Sequence, residues 1–151
     1  PADPLKSCLA TLRQQFVERR IRVTLDIPAA LPPVAIDKDK MEQVFFNLIK
    51  NALEAMKDGG SIDIEIAADD QNVSTTFRDS GVGMTRDQLA HLFEPYRTSK
   101  DKGHGLGLMV SARIVRDHGG TIAAESRPGE GTSFIVSLPR LERRIRQLAK
   151  P

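Results

Sequence analysis

Two asparagines in the segment NLIKNALEAM stand four residues apart and carry side chains of a type that binds hard cations. Residues at this spacing project from one side of an α-helix. Asn47 and Asn51 would therefore lie at the edge of the apolar stripe of that helix. An amide oxygen in such a place suits Mg²⁺, which takes few protein ligands and keeps water and phosphate oxygens for the rest. The spacing alone is equally typical of two asparagines on a solvated helix flank.

A carboxylate followed by two glycines forms the second candidate group, in the segment DSGVGM. Asp79 ends the alternating stretch NVSTTFRDS, and Gly81 and Gly83 follow it. A carboxylate accepts hydrogen bonds and donates none, so it suits an exocyclic amine such as the N6 group of adenine. Glycines let a planar ligand approach the backbone closely. A plain Asp-Ser-Gly turn is the alternative interpretation.

The glycines as a set are clustered, because all eleven lie between Gly59 and Gly131. GHGLGL leads directly into a helical pattern, so the N–H groups of the loop and of the helix start can face phosphate oxygens. The predicted phosphate-binding residues are a glycine loop and the basic residues before it: Arg97, Lys100, Lys102, Gly103, His104, Gly105, Leu106 and Gly107. Solvated loop charges are an equal alternative for the three basic residues, and His104 is favoured as an ordinary loop residue. Thr132 of GEGTSF is predicted to contact phosphate or to belong to a plain hairpin turn.

Alternating helices and strands must position these groups. Asp3 with Pro4 predicts a helix start, and Asp37 predicts the cap of a helix that ends at the glycine pair Gly59-Gly60. Thr85 and Gln88 form a capping box that opens a short helix through LAHLF. A second pair, Gly119-Gly120, predicts a helix-to-strand turn. The remaining segments are strands (IRVTLDI, SIDIEIAA, NVSTTFRDS, TIAAES, TSFIVSL), a buried helix (LGLMVSARIVRDH) and a basic amphipathic tail (LERRIRQLAK).

Composition excludes several classes of protein. A chain of 151 residues with 40% hydrophobic and 28% charged residues is typical of one globular domain, and no apolar run approaches the length of a membrane span. The net charge of +2 is too small for a nucleic-acid binder. Cys8 is the only cysteine, which excludes an internal disulfide. The sequence lacks the P-loop, the H-R-D and D-F-G motifs of eukaryotic-type kinases, and the Rossmann fingerprint.

The ordered set NLIKNALEAM, DSGVGM, LFEPY, GHGLGL and GEGTSF closely resembles the N, G1, F, G2 and G3 boxes of the catalytic ATP-binding domain of bacterial sensor histidine kinases. This domain belongs to the Bergerat, or GHKL, superfamily, with DNA gyrase B, the Hsp90 chaperones and MutL. The match covers residues 21–139, and the PYRTSK segment further resembles kinases of the NtrB and NtrY type. The resemblance implies a two-layer α/β (α+β) sandwich with a mixed β-sheet, helices on one face and a mobile ATP lid over about residues 85–103.

The same resemblance implies roles for the candidate residues. Asn51 would hold Mg²⁺, and Asp79 would bind adenine with Gly81 and Gly83 beside it. Gyrase-type ATPases carry a glutamate as general base where this chain has Asn47. An amide cannot take a proton from water, so slow hydrolysis and γ-phosphate transfer to another acceptor are expected. Asn47 and Asn51 are thus the predicted catalytic pair, with ATP, ADP as its product, and Mg²⁺ as the cofactors.

The phosphate acceptor is expected outside this chain. None of its histidines, His91, His104 and His118, lies in the H-E-x-x-N-P context of the phosphoacceptor helix. Residues 1–20 are predicted to lead from a dimerisation region, residues 21–140 to form the catalytic domain, and residues 141–151 to form a basic tail. The expected partners are ATP, the phosphoacceptor domain of the same protein and a response-regulator receiver domain, without nucleic acid or membrane contact. The expected location is cytoplasmic, and anchoring of the full-length protein in the inner membrane stays open.

Two alternatives share parts of this pattern. A GHKL-type ATPase or anti-sigma serine kinase would have the same fold, but Asn47 in place of glutamate argues against it. A non-catalytic nucleotide-sensing module would keep Asp79 and the glycines while losing the metal ligand or the phosphate contacts. Asn51 and GHGLGL are both intact.

Overall fold

The computed structural model describes residues 1–94 and 107–150. In these ranges helices and strands follow one another in the order that the sequence predicts. They are α1 (Ala2–Glu18), β1 (Ile21–Asp26), α2 (Lys38–Ala55), β2 (Gly60–Ala68), β3 (Asn72–Asp79), α3 (Arg86–Ala90), α4 (Gly107–Asp117), β4 (Thr121–Ser126), β5 (Thr132–Pro139) and α5 (Leu141–Ala149).

The strands of the described chain form one sheet in the order β1-β2-β3-β5-β4. β1 and β2 are parallel, and all other neighbours are antiparallel, so the predicted mixed sheet is confirmed. The register places Asp79 of β3 opposite Thr132 of β5. Two predicted site residues from distant parts of the sequence therefore meet at one end of the central strand pair.

One face of the sheet is buried and the other is open to solvent. Ile62, Ile64 and Ile66 of β2 are buried, whereas Asp63 and Glu65 between them are exposed. The buried face joins α1, α2 and α4 in a single core, in which the rings of Phe45 and Phe77 lie 5.4 Å apart. Each large side chain buried there contributes about 1.5–3 kcal/mol. The predicted two-layer sandwich, with helices on one face, is confirmed.

Helix α2 carries both candidate asparagines, and its position is fixed by its cap and its apolar stripe. The Asp37 carboxylate accepts a hydrogen bond from Lys40 N at 3.2 Å, which confirms the predicted N-cap. The buried stripe consists of Met41, Val44, Phe45, Leu48, Ile49, Ala52 and Leu53. Asn47 and Asn51 are half-buried, as expected for residues at the edge of that stripe.

The predicted start of α1 and the predicted end of α2 are wrong. Helix α1 starts with Pro1 as N-cap and has no side-chain cap. Asp3 and Pro4 lie inside its first turn, where proline is tolerated because the N–H that it lacks has no helical partner. Helix α2 ends at Ala55 with Met56 as C-cap, because the chain turns away before the glycine pair and Gly60 already opens β2. The predicted turn after α4 is confirmed, since Gly120 N bonds Val115 O at 3.0 Å.

The beginning of the predicted lid lies within the described residues. The capping box is present: Thr85 Oγ1 accepts from Gln88 N at 3.1 Å, and Gln88 Oε1 accepts from Thr85 N at 2.9 Å. Helix α3 ends at Ala90, earlier than the predicted run through LAHLF. The rest of the predicted lid falls mainly outside the described residues. None of the helices within residues 1–94 and 107–150 has the length and hydropathy needed to span a bilayer.

Candidate functional site

The first part of the candidate site, here called the carboxylate end, consists of Asp79, the loop 80–84, Ser126 and the turn 127–132. Asp79 is only 6% exposed. Its Oδ1 accepts hydrogen bonds from Gly81 N at 2.8 Å and from Thr132 N at 3.2 Å. Two backbone donors from different loops therefore hold this carboxylate in one orientation.

Two glycines of the carboxylate end, Gly83 and Gly131, are required by contacts within the protein. Gly83 and Gly131 have φ angles of +72° and +77°, in the left-handed region that side chains disfavour. A Cβ at Gly83 would overlap Arg127 O, and one at Gly131 would overlap Asp79 O. The loop after β3 and the turn before β5 therefore approach each other backbone to backbone.

Gly81 has a different neighbour, the last turn of α2. A Cβ at Gly81 would lie 2.7 Å from Ala55 Cβ and 2.8 Å from Ala55 O. The next residue, Val82, donates its backbone N–H to the same carbonyl at 3.2 Å. The loop is thereby attached to the helix that carries Asn47 and Asn51. Contacts of Gly81 and Gly83 with an adenine ring stay predictions.

Ser126, at the end of β4, joins three segments of the carboxylate end. Its Oγ donates to Gly131 O at 2.8 Å and accepts from Met84 N at 2.8 Å. It also lies 2.9 Å from Thr132 Oγ1. The side chain of Thr132, predicted to contact phosphate, is thus bonded within the carboxylate end, and its phosphate contact stays a prediction.

The second part, here called the amide end, consists of Asn47, Asn51, Gly107 and Ser111. Asn47 Nδ2 donates to Gly107 O and to Ser111 Oγ, both at 3.2 Å. Ser111 is completely buried. The Asn47 amide therefore ties α2 to the first turn of α4, whose initial N–H groups have no partners within the helix.

Asn51 lies one helical turn beyond Asn47, on the same side of α2 and half-buried. Its amide oxygen is a hard ligand of the kind that Mg²⁺ accepts. Among the residues that the structure describes, His, Cys, Asp and Glu form no group of three or more able to hold a metal ion. Binding of a cation by the Asn51 amide oxygen stays a prediction.

Seven of the predicted phosphate contacts lie outside the described residues. They are Arg97, Lys100, Lys102, Gly103, His104, Gly105 and Leu106. Gly107 is described, and it is the first residue of α4. Its backbone carbonyl receives the Asn47 bond at the amide end, and its contact with phosphate stays a prediction.

Two contributors to the site are absent from the sequence-based prediction, as is one contact outside it. Ser126 and Ser111 look like ordinary polar residues in a strand and a helix. His118 closes the far end of the α2–α4 pair: Nε2 accepts from Asp37 N at 3.0 Å while Nδ1 lies 2.7 Å from Ile114 O. The sequence does indicate that Ser111 is unusual, because it is a polar residue at an otherwise apolar position of α4.

Comparisons with known proteins agree with this architecture. A profile of the family described as histidine kinase-, DNA gyrase B-, and HSP90-like ATPase matches residues 36–142. Sporulation kinase E of Bacillus subtilis (strain 168) is 41% identical over 136 residues, which are 89% of this chain and 18% of that kinase. The chain therefore spans about a fifth of that relative.

Solved structures of the histidine kinase ThkA have the same fold. Its nucleotide-free catalytic domain aligns with a TM-score of 0.83 at 27% identity, covering 92% of this chain and 93% of that one. ThkA in complex with the response regulator protein TrrA aligns with a TM-score of 0.79 at 25% identity, covering 92% and 40% of the two chains. With a profile match across most of its length and this shared fold, the chain belongs to the histidine kinase-, DNA gyrase B- and HSP90-like ATPase family.

Proposed function

We propose that this domain binds ATP with Mg²⁺ and transfers the γ-phosphate to a histidine on a separate domain, as a part of two-component signalling. The observation that carries the proposal is the joining of the two ends of the site by α2. This helix carries Asn47 and Asn51, and its Ala55 carbonyl receives the loop that follows Asp79. Both ends thus border one helix, as binding of a nucleotide along it requires.

Adenine recognition is assigned to Asp79. A carboxylate offers about four acceptor positions, so a group already held by two backbone donors can also accept a bond from the adenine amine. The two backbone bonds fix its direction before the nucleotide arrives. Preorganisation of this kind lowers the entropic cost of binding.

Phosphate binding is assigned to the amide end and to the predicted basic and glycine residues 97–107. The N-terminus of α4 presents backbone N–H groups and a favourable dipole to anions. Asn51 would hold Mg²⁺, which when bound neutralises part of the phosphate charge. Asn47 keeps the start of α4 beside Asn51 through its bonds to Gly107 O and Ser111 Oγ.

The absence of a carboxylate at Asn47 favours phosphotransfer over hydrolysis. The Asn47 amide donates both hydrogen bonds that it makes across the helix pair, and it has no basic atom with which to activate water. Phosphoryl transfer depends mainly on positioning and charge neutralisation, so a neutral imidazole acceptor is sufficient.

The histidine acceptor is assigned to another domain. Both ring nitrogens of His118 have partners within the α2–α4 pair. His91 lies between the carboxylates of Asp87 and Glu94, at 3.6 and 3.0 Å. ThkA, crystallised with a response regulator, supports a receiver domain as the subsequent phosphate acceptor. We also propose a cytoplasmic location, which the proposed use of ATP supports.

The adenine assignment is tested with Asp79→Asn, which keeps the shape and replaces an acceptor by a donor. Affinity for ADP, measured by calorimetry, is expected to fall by roughly 10- to 100-fold, about 1.5–3 kcal/mol. Asp63→Asn on the exposed face of the sheet is the matched control, and it should bind ADP as the unmodified domain does. Equal affinity of Asp79→Asn and the unmodified domain would refute the assignment.

Phosphotransfer is tested with labelled ATP and Mg²⁺. The isolated chain should bind nucleotide and gain almost no acid-labile phosphate, whereas the cognate histidine-containing helical domain should become labelled when added. Stoichiometric labelling of His104 in the isolated chain would contradict the placement of the acceptor.

A further inference from the structure

We propose that Ser126 is a positioning residue that sets the preference of this domain for adenine over guanine nucleotides. The inference rests on the proposed nucleotide site, because it concerns how Asp79 is held within that site. Ser126 does not belong to any of the glycine motifs, and it reaches Asp79 only through other residues.

The hydrogen-bonding capacity of the Ser126 hydroxyl is fully used. A hydroxyl has one donor and two acceptor positions. Its proton goes to Gly131 O, and one acceptor position takes the Met84 N–H. Thr132 Oγ1, at 2.9 Å, therefore donates to the remaining position. One hydroxyl thus connects the loop after β3 with the turn before β5.

These partners adjoin Asp79 on both sides. Thr132 N donates to Asp79 Oδ1, and the Gly131 backbone packs directly on Asp79 O. Met84 is the last residue of the loop 80–84, which also contains the other backbone donor, Gly81. A further bond, from Gly129 N to Val82 O at 2.7 Å, links the same two segments. Ser126 therefore fixes the distance between the two backbone donors that orient the carboxylate.

Orientation matters for base discrimination because adenine and guanine differ where the carboxylate would bind. Adenine presents an amine donor at C6, whereas guanine presents a carbonyl oxygen. A fixed carboxylate leaves two acceptors facing each other when guanine is bound, and unpaired polar groups in a site give strong rejection. A carboxylate free to turn away from the carbonyl oxygen loses part of that rejection.

If Ser126 only stabilised the sheet, other hydroxyl pairs between strands would have the same role. The chain contains one such pair, which serves as a control. Ser74 Oγ and Ser137 Oγ lie 2.9 Å apart across β3 and β5, toward the end of the strand pair opposite Asp79. Removal of either pair deletes a cross-strand hydroxyl bond. Only the Ser126 pair adjoins the carboxylate end.

The experiment measures the dissociation constants of ADP and GDP for Ser126→Ala, Ser126→Thr and Ser74→Ala. Ser126→Ala is expected to weaken ADP binding by about 10-fold and to reduce the GDP-to-ADP ratio of dissociation constants by a similar factor. Ser126→Thr retains the hydroxyl and should restore both values, and Ser74→Ala should leave both unchanged. Ser126→Cys, with a weak S–H donor of similar size, replaces the alanine variant should that variant not fold.

Asp79→Asn, measured in parallel, separates failure of this inference from failure of the site. An unchanged ratio in Ser126→Ala, with a lowered ratio in Asp79→Asn, overturns the role of Ser126 and leaves the nucleotide site intact. An equal fall of the GDP-to-ADP ratio in Ser74→Ala and Ser126→Ala also overturns the role of Ser126, because loss of any cross-strand hydroxyl bond in the sheet would then lower the ratio. No effect of Asp79→Asn on either nucleotide overturns the proposed site and this inference together.

Discussion

At the carboxylate end, backbone groups from distant segments contact each other directly, whereas at the amide end the side chain of Asn47 bridges two helices. Asp79 is held by two backbone N–H groups, and Gly83 and Gly131 allow the two loops to approach closely. Asn47 alone, through its Nδ2, provides the hydrogen bonds described between α2 and the start of α4. The difference indicates a preformed surface for the base, and a phosphate end whose geometry depends on replaceable side chains.

Variants of the two ends should therefore behave differently. Changes in the backbone contacts of the carboxylate end should reduce folding stability and nucleotide affinity together. Changes at the amide end should alter metal dependence and reactivity with smaller effects on folding.

The largest effect is expected for Gly83→Ala. The new Cβ would overlap the backbone oxygen of Arg127, which cannot move without displacing the turn before β5. Together with the cost of a left-handed alanine, the free energy of unfolding should fall by about 3 kcal/mol or more. Chemical denaturation measures this loss.

Gly129→Ala is the control for Gly83→Ala. Gly129 has a φ of +78°, but a Cβ there would have no neighbour within 4 Å. Only the backbone cost of roughly 1–2 kcal/mol should remain. Equal losses in the two variants would show that the close contact of the two loops does not contribute to stability.

The metal dependence of the amide end should change in Asn51→Ala. Removal of a residue that only supports a metal ligand typically lowers metal affinity by about 10- to 100-fold. Removal of the ligand itself should lower metal affinity by at least the same factor. The variant should bind ADP without metal nearly as the unmodified domain does, and should lose most of the gain in affinity that Mg²⁺ provides. Calorimetry with and without Mg²⁺ tests this, and a full gain in the variant would exclude Asn51 as the ligand.

The sequence was sufficient for the parts of the site that form within one segment. Asn47 and Asn51 are one helical turn apart, and Asp79 ends a strand before a glycine loop, so local patterns predict all three. Ser126 could not be found in this way, because its partners Met84 and Thr132 lie on either side of it and the first is 42 residues away. Its role depends on the pairing of β5 with both β4 and β3, which brings those segments together.

The glycines also show which part of the site the sequence does not predict. The pattern predicts that adenine approaches the backbone at Gly81 and Gly83, and this contact stays a prediction. The neighbours that the structure supplies for these glycines are Ala55 and Arg127 of the same chain. The position of a glycine indicates that another group comes close to the backbone there, but not which group it is. In the same way, the sequence predicts a helix cap at the Gly59-Gly60 pair, because it does not reveal the contact of these glycines with the backbone of Arg20.

Asn47→Glu tests whether the amide end lacks only a base. A glutamate there could orient and deprotonate water beside the γ-phosphate. General bases typically raise reaction rates by 10²–10⁴-fold. We expect an increase near the lower limit, roughly 10²-fold, because the surrounding site is not adapted to position the water. A carboxylate also places an acceptor against Gly107 O and Ser111 Oγ, where the amide donates. We therefore expect faster ATP hydrolysis together with a loss of about 1–3 kcal/mol in stability.

Asn47→Leu separates the two effects, because it has a similar size and offers neither a donor nor a base. It should lose stability to a similar degree without gaining hydrolysis. Hydrolysis by the unmodified domain at several turnovers per second would contradict the kinase assignment and favour an ATPase.

The smallest effect is expected at the opposite end of the α2–α4 pair, in His118→Ala. The Asp37 N–H donates to Nε2, so Nε2 carries no proton and Nδ1 donates to Ile114 O. Loss of this exposed link should lower the free energy of unfolding by about 0.5–1.5 kcal/mol. Asp37 lies about 15 Å along α2 from Asn47, so ADP affinity and the gain from Mg²⁺ should not change. Denaturation and calorimetry on the same variant test both statements, and a loss of Mg²⁺ dependence would show that the amide end relies on the whole helix pair rather than on the Asn47 bridge.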